Sequence, residues 1–281
     1  MDNQIKLEDG IYGKKAIIIG NWNDSYYNFF KENNVLELEL NDGKGWKGDS
    51  VSFLESLFYL KSLKLIDLRI KNIDKIHNLV NLENLHLTTY SKTHINFNHF
   101  SQLKICGFEW IKNSDSLFDC IGLKYLGLNN YKNSSSSAFS KLINLEKLTI
   151  MNSNIENLKG LTNLINLNYL NISNLKKLND ITDIENLKEV KEIEIQNCKS
   201  INNVCTIFKL NKLKRLLLLN IGNIETIKGI ENLKDLNDFI FYESTNILDG
   251  DLYPITKLEN LKKIAFQNRR HYSHKREDFL K

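Results

Sequence analysis

The sequence predicts a solenoid of about eleven coils, in which each coil supplies one short parallel strand and one tight return path. The first observation behind this prediction is the stretch of residues 145–167, LEKLTIMNSNIENLKGLTNLINL. There an LxxLxL pattern precedes an apolar residue at every third position. The second observation is that the same unit recurs along most of the chain. Repetition makes the signal strong, because a single LxxLxL has little meaning.

Each unit combines two periodicities that no single regular element produces. Leu148 and Ile150 alternate with Thr149, as in a strand that turns one face into the core. The apolar period of three that follows fits turns and 3₁₀-like coil. An earlier strand at residues 35–40 fits the same frame. The position of Leu148 recurs at spacings of 19 to 25 residues, at Ile66, Leu85, Cys106, Leu126, Leu170, Ile193, Leu216, Phe239 and Ile264.

A repeat of about 20–29 residues with LxxLxL resembles the leucine-rich repeat family, over roughly residues 35–266. The resemblance implies an α/β-type, right-handed solenoid with a parallel β-sheet on its concave face. Short turns and 3₁₀ segments are then expected on its convex face. On this frame the domains are an N-terminal cap with a strand and a short helix (residues 1–34), the repeats (residues 35–267) and a polar C-terminal cap or tail (residues 268–281).

The segments outside the repeat are expected to cap it, because a solenoid exposes its core at each end. Residues 15–19 (KAIII) predict a strand, and Asp24 or Ser25 can cap a short helix that ends near Lys31. The aromatic residues of this segment supply apolar bulk for the cap or, alternatively, a docking surface. The tail is basic, and a contact site for an acidic partner is the alternative to a polar cap.

Composition argues against nucleic-acid and membrane partners. The net charge is +4, and Lys and Arg are interspersed with Glu and Asp, so no strongly basic face is expected. The amino terminus lacks the basic and apolar segments of a secretory signal, and no apolar run is long enough to cross a bilayer. We therefore expect a cytoplasmic protein.

No catalytic or metal-binding constellation stands out, and we expect no enzyme activity, cofactor or metal. The four cysteines form no CxxC pair. Cys106, Cys120 and Cys198 take positions that hold aliphatic residues in other coils. This pattern predicts reduced, buried thiols.

A glycine-rich loop follows the first repeat strand and contains GxGxxG at Gly43, Gly45 and Gly48. With a strand before it and a helix-compatible segment after it, the loop imitates the dinucleotide-binding fingerprint. Trp46 and Lys47 would crowd the tight turn that such glycines leave free for phosphate. We therefore predict a wide turn with Trp46 packed over the edge of the cap.

The concave face is the side of the strands that points away from the core. Alternation assigns it two positions in each coil, such as Thr149 and Met151, or Asp67 and Arg69. At two neighbouring coils both positions are apolar although the repeat does not require it, which is typical of interaction surfaces. Covering by the C-terminal tail, or a more hydrophobic coil, are the alternatives. The predicted partner-binding residues are Tyr125, Tyr169, Glu192, Glu194, Arg215, Leu217, Leu219, Ile240 and Tyr242.

Asparagine recurs two residues after the second inward position of a strand. This resembles the asparagine ladder of leucine-rich repeats, displaced by one position. We predict a structural role, because Asn tolerates the turn conformation and satisfies backbone groups at the strand exit. The residues are Asn130, Asn152, Asn174, Asn197, Asn220 and Asn268.

The family resemblance implies protein–protein recognition through the concave face. We expect a non-enzymatic module, monomeric when free, that binds one protein partner. Its sharpest form is a bacterial cytosolic immunity or inhibitor protein that neutralises a toxin or an enzyme. A secreted effector acting on a host protein is one alternative. A nucleotide-binding protein or enzyme that uses the loop of residues 43–48 is an alternative of another class.

Overall fold

A computed structural model describes residues 4–279, which belong to two compact units, residues 4–128 and residues 129–279. The first unit contains one α-helix, α1 (Tyr26–Glu32), among its described residues. Its strands are β1 (Gln4–Asp9), β2 (Lys14–Ile19), β3 (Val35–Asn41), β4 (Ser62–Ile66), β5 (Asn84–Thr88), β6 (Ile105–Glu109) and β7 (Tyr125–Asn129), whose last residue opens the second unit. The strands of the second unit are β8 (Lys147–Met151), β9 (Tyr169–Ser173), β10 (Glu192–Gln196), β11 (Arg215–Leu219), β12 (Asn223–Ile224), β13 (Asp238–Tyr242), β14 (Asn246–Ile247) and β15 (Lys263–Ala265).

In the first unit the sheet order follows the chain from β1 to β7. β1 and β2 form an antiparallel hairpin, and the pairs from β2 to β6 are parallel. β2 and α1 lie where the sequence predicts a strand and a short helix. β1 was not predicted, because its short alternation of Ile5 and Leu7 is masked by charged neighbours. Trp22 stacks on Phe53 with ring centroids 3.9 Å apart, and Phe30 is fully buried, so the aromatic residues of the cap pack against the first coils.

In the second unit β8, β9, β10, β11, β13 and β15 lie side by side, and their pairs are parallel. The inward residues match across these pairs: Leu148 pairs with Leu170 and Leu216 with Phe239, and all four are fully buried. Coils return through 3₁₀ turns of three to six residues, such as Lys159–Leu161 and Val204–Lys209. A parallel sheet with short 3₁₀ returns confirms the predicted solenoid, and eleven strands from β3 onward, β12 and β14 aside, match the predicted coil number.

The predicted alignment of one strand is wrong by three residues. The parallel partner of Leu85 is Leu63, and Leu65 is the second inward residue of β4, both fully buried. Ile66 is therefore on the concave face, and Leu68 is 42% exposed. The sequence offers two overlapping LxxLxL frames here, and the earlier one, which begins at Leu60, forms the strand. The correction replaces the spacing of 19 residues by one of 22.

The same correction changes the concave pair of that coil. Asp67, which was predicted to be exposed there, is fully buried in the turn after β4. Its carboxylate accepts hydrogen bonds from the backbone N–H of Arg69 at 2.8 Å and from the Arg69 guanidinium at 2.8 Å. The concave positions of β4 are instead Lys64 and Ile66. Asp67 is thus a buried carboxylate that organises the turn and pairs with Arg69, and it does not occupy the concave position predicted for it.

Asparagines form the strand exits of the second unit, as predicted. Five of the six predicted residues have positive φ angles of 50° to 59°: Asn130, Asn152, Asn174, Asn197 and Asn220. The side chains also connect successive coils, because Asn197 Nδ2 donates to Asn174 Oδ1 at 2.8 Å and Asn220 Nδ2 donates to Asn197 Oδ1 at 2.6 Å. Asn268 has another role: its amide accepts from the Arg276 N–H and donates to Glu277 within the tail.

Candidate functional site

Two neighbouring strands of the second unit carry apolar side chains on both faces. In the parallel pair of β11 and β13, Leu217 lies opposite Ile240 and Leu219 opposite Tyr242. Tyr242 is 39% exposed, Leu219 and Ile240 are half-buried, and Leu217 is buried by its neighbours. We call Leu217, Leu219, Ile240 and Tyr242 the apolar patch. Apolar residues are superfluous there for the solenoid, because its core lies on the opposite side of the sheet.

A polar network borders the apolar patch on the β10 side. Arg215 Nη1 lies 3.1 Å from Glu194 Oε1 and 3.6 Å from Glu192 Oε2. On the other side of Glu194, Asn171 Nδ2 donates to Glu194 Oε2 at 2.9 Å and to the Tyr169 hydroxyl at 3.2 Å. These contacts hold four of the predicted residues, on β9, β10 and β11, in one continuous chain of hydrogen bonds and ion pairs.

The phenol of Tyr169 is neutral at physiological pH. Burial raises its pKa, the hydrogen bond from Asn171 opposes that rise, and the negative charges of Glu194 and Glu192 add to it. A neutral hydroxyl beside two carboxylates can donate as well as accept hydrogen bonds. The hydroxyl also forms a hydrogen bond with Glu194, so Tyr169 ties the β9 strand to the polar network.

Eight of the nine predicted partner-binding residues thus lie on adjacent strands of the second unit. The ninth, Tyr125, is half-buried on β7 in the first unit, where a Cβ at Gly127 would lie 2.8 Å from its hydroxyl. Gly127 thus leaves room for the Tyr125 ring to lie along the strand. That these nine side chains bind a partner remains a prediction.

The C-terminal tail covers the end of the last coil. The Arg269 guanidinium donates to the Glu243 carbonyl at 3.1 Å, and the Tyr272 hydroxyl accepts from the Ile247 N–H at 3.1 Å. Phe279 packs against Phe266, with ring centroids 6.0 Å apart. These contacts direct the tail to the strand exits and the last coil, and they leave Tyr242 of the apolar patch exposed.

The concave face of the first unit carries a cluster of charges that the sequence pattern does not predict. The Glu39 side chain is fully buried, with the Nζ atoms of Lys15, Lys44 and Lys64 at 2.8, 3.0 and 3.4 Å from its oxygens. Asn41 Nδ2 donates to the same carboxylate at 3.1 Å. Burial opposes ionisation, but the hydrogen bonds from Lys15, Lys44 and Asn41 lower the pKa of Glu39 to about 2. The predicted frame of β4 did not place Lys64 on the concave face, and Lys15 and Lys44 lie outside the repeat strands, so the sequence pattern relates none of the three to Glu39.

The glycine-rich loop is packed by its own tryptophan. Trp46 is buried, and a Cβ at Gly48 would overlap its ring, so this glycine leaves room for an aromatic side chain. Gly45 has a φ of 102°, and its carbonyl accepts from the Gly20 N–H at 2.8 Å. A 3₁₀ turn follows the loop, where the dinucleotide fingerprint requires the N-terminus of an α-helix. The loop therefore joins the cap to the first coil as a wide turn, as predicted.

The four cysteines are free thiols. Cys106 and Cys198 are buried, and burial raises the pKa of Cys198 to about 11 and that of Cys120 to about 12. Cys205 is exposed on its return segment. Within residues 4–279, no group of three or more His, Cys, Asp or Glu side chains is arranged to hold a metal ion. In that part of the chain, no helix has both the length and the apolar character that crossing a membrane requires.

Comparison with known proteins identifies the repeat. The sequence model of the leucine-rich repeat domain of the endo-beta-N-acetylglucosaminidase EndoS matches residues 136–216, which lie in the second unit. No curated protein matches the sequence. Among solved structures, the internalin InlF of Listeria monocytogenes is 21% identical, with a TM-score of 0.66 over 91% of this chain and 87% of that chain.

Two further structures share the fold. The internalin InlC2 of Listeria monocytogenes is 19% identical, with a TM-score of 0.52 over 76% of this chain and 84% of that chain. The plant peptide hormone receptor RGFR1, solved in complex with RGF2, is 16% identical, with a TM-score of 0.50 over 94% of this chain and 52% of that chain. Together with the repeat, its parallel sheets and its 3₁₀ returns, these likenesses show that the chain has the leucine-rich repeat fold.

Proposed function

We propose that this chain is a binding module that recognises a protein partner through the apolar patch and its polar border. One observation carries the proposal: four apolar side chains occupy concave positions of the paired strands β11 and β13, and Tyr242 among them is 39% exposed. Apolar surface rimmed by polar groups is typical of protein interaction sites. Aromatic and Arg side chains contribute most of the binding energy at such sites, and Tyr242 and Arg215 are of this kind.

The arrangement also favours a particular kind of contact. Leu219, Ile240 and Tyr242 offer an apolar surface that a Leu, Met or aromatic side chain of the partner covers. Next to it, Arg215 is held by Glu192 and Glu194, so its guanidinium is already oriented before a partner arrives. A preformed polar border lowers the entropy cost of association. The proposal draws further support from the plant receptor of the same fold, whose structure was solved as a complex with RGF2.

A pair of double variants tests the site. Leu217→Asp with Tyr242→Ala places a charge and a gap in the apolar patch, and we expect partner capture to fall below detection. The matched control is Thr149→Asp with Met151→Ala, which makes the same changes at the equivalent positions of β8. We expect the control to bind as the unchanged protein does. Circular dichroism and thermal melting establish that both variants are folded. Affinity within a few-fold of the unchanged protein for the patch variant would move the contact elsewhere.

The sharper form of the proposal is a cytoplasmic inhibitor or immunity protein that neutralises one toxin or enzyme. Its support is the patch itself, whose apolar side chains beside Arg215 suit a lasting stoichiometric complex. A tagged pulldown from the native host, including co-expressed products of neighbouring loci, tests this form. One stoichiometric toxin-like or enzyme partner is the expected result. Capture only from a eukaryotic lysate would favour an effector that acts on a host protein.

A further inference from the structure

The charge cluster around Glu39 is unbalanced. Three lysine side chains, Lys15, Lys44 and Lys64, surround one carboxylate, and the next nearest, Glu8, is 3.5 Å from Lys15 and also pairs with Lys6 at 2.8 Å. Neutralising Glu39 requires one cation, so two positive charges are in excess around it. Like charges held close together repel one another, and an anion on the exposed side of the cluster relieves that repulsion.

The lysines also retain hydrogen-bond donors. A carboxylate accepts about four hydrogen bonds. Four nitrogen atoms, from the three lysines and Asn41, already contact the Glu39 oxygens at 2.8 to 3.4 Å. Each ammonium group carries three N–H donors, and the side chains of Lys44 and Lys64 are 43% and 40% exposed. Their remaining donors are therefore accessible from the concave face, at positions fixed by the buried carboxylate beneath them.

We propose that Lys15, Lys44 and Lys64 form a binding site for a doubly charged oxyanion of a peptide, carried by a phosphorylated side chain or by two neighbouring carboxylates. The excess of two positive charges matches two negative charges on the ligand. Glu39 acts as a positioning residue: it holds the three ammonium groups together and leaves their outer N–H donors for the ligand. Charge-assisted hydrogen bonds to phosphate or carboxylate are among the strongest in proteins. This site lies in the first unit and is independent of the apolar patch.

Isothermal titration calorimetry of the whole chain with three short peptides tests the proposal. The peptides share one neutral sequence and differ at its centre, which is phosphoserine, Asp-Asp or Ser-Ser. Low ionic strength is needed, because salt screens exposed charges over about 10 Å at 0.1 M. We expect saturable binding of the phosphoserine or the Asp-Asp peptide and none of the Ser-Ser peptide. The phosphoserine and Asp-Asp arms distinguish the two sources of charge. Lack of saturable binding of both charged peptides would overturn the proposal.

Charge-changing variants separate a binding site from simple neutralisation of Glu39. Lys44→Gln with Lys64→Gln removes the excess charge, and we expect about a tenfold or greater loss of affinity. The control Lys71→Gln with Lys75→Gln removes the same charge elsewhere in the first unit, and we expect affinity within about twofold of the unchanged protein.

Glu39→Gln is the most discriminating variant. It raises the net charge of the cluster from +2 to +3 but removes the charge that holds the three ammonium groups together, and we expect it to bind the charged peptide about threefold or more weakly. Tighter binding would mean that the ligand is attracted by net charge alone and would overturn the positioning role of Glu39. Lysines that serve only to neutralise Glu39 would leave the lysine double variant binding like the unchanged protein, which would refute the site. Should Glu39→Gln fail to fold, the lysine double variant still decides, because it retains the buried carboxylate with Lys15 and Asn41.

Discussion

The two units follow one repeat but differ where their strands end. In the second unit, the coils that follow a left-handed asparagine exit span 22 or 23 residues, and the coil that follows Glu243 spans 25. In the first unit the same exit position holds Asp42, Asp67, Thr89 or Trp110, none of which has a positive φ, and coil length falls from 25 to 20 residues. The comparison shows that inward aliphatic residues are sufficient to stack the coils. Coil length is nearly constant only where an asparagine occupies the strand exit.

The concave faces differ as well. In the first unit this face carries a buried carboxylate with three lysines, whereas in the second it carries the apolar patch beside Arg215. Inward positions are apolar in both units, because stacking requires it. Outward positions face solvent, so the repeat does not restrict them, and they are where the two units acquire different binding chemistry.

The largest expected difference is between truncating an inward and an outward leucine of the same strand. Leu218 is fully buried in the core, and Leu218→Ala should lower the free energy of unfolding by about 3 kcal/mol. Leu219 is its half-buried neighbour on the concave face, and Leu219→Ala should lower the free energy of unfolding by less than about 1 kcal/mol. Urea unfolding followed by circular dichroism measures both values. Equal losses would mean that Leu219 belongs to the core.

Acid should lower the free energy of unfolding because it protonates Glu39. Its pKa is lowered to about 2, so the stability that it contributes is complete above its ordinary pKa of 4.5 and is lost as the pH falls towards 2. Solvent screening of the partly exposed lysines reduces the effect, and we expect about 1–3 kcal/mol. Unfolding free energies measured between pH 2 and pH 5 test this. Glu39→Gln should flatten the profile, and an unchanged profile would show that the cluster does not stabilise the native state.

Removing one asparagine from the ladder should have a smaller effect. Asn197→Ala removes the side-chain hydrogen bonds with Asn174 and Asn220. It also places Ala at a φ of 55°, which Asn tolerates better. We expect a loss of about 1–2 kcal/mol in unfolding free energy. Asn202→Ala, at an exposed position of the next return segment, is the control and should change stability by less than about 0.5 kcal/mol. Equal effects of both changes would argue against a structural ladder.

Placing an asparagine at position 243, the one strand exit that holds Glu in the described part of the second unit, should have the smallest effect and should raise stability. Glu243 adopts a φ of 60°, which Asn tolerates better than Glu. Glu243→Asn should therefore raise the unfolding free energy by about 0.5–1 kcal/mol. Glu243→Gln keeps the length of the side chain and should leave stability unchanged. A destabilising effect of the Asn variant would mean that the Glu243 side chain makes a contact worth more than the backbone strain.

The solenoid could be predicted from sequence because its core pattern is repeated, so an error in one coil does not spread to the others. Where two frames overlap, as at Leu60, Leu63 and Leu65, periodicity cannot choose between them, and the pairing with β5 decides. β1 could not be predicted, because the pattern of a short alternating strand with charged neighbours is the same as that of a polar tail.

The candidate site divides in the same way. Alternation located the apolar patch, because Leu217 and Tyr242 depart from a rule that every other coil helps to define. The lysine cluster was not predictable, since Lys44 reaches Glu39 from a loop and Lys15 from the cap, which no repeat frame relates to β3. The ion pairs of Arg215 with Glu192 and Glu194 depend on side-chain conformations that spacing does not determine.

Hydroxyl-radical footprinting of the chain, alone and with its captured partner, tests the central claim most directly, because it reports the exposure of single side chains. Tyr242 and Leu219 of the apolar patch should become protected from oxidation when the partner binds. Met151, at the equivalent concave position of β8, should react at the same rate in both samples and serves as the internal reference. Protection confined to the first unit or to the return segments, with Tyr242 still reactive, would contradict recognition through the patch.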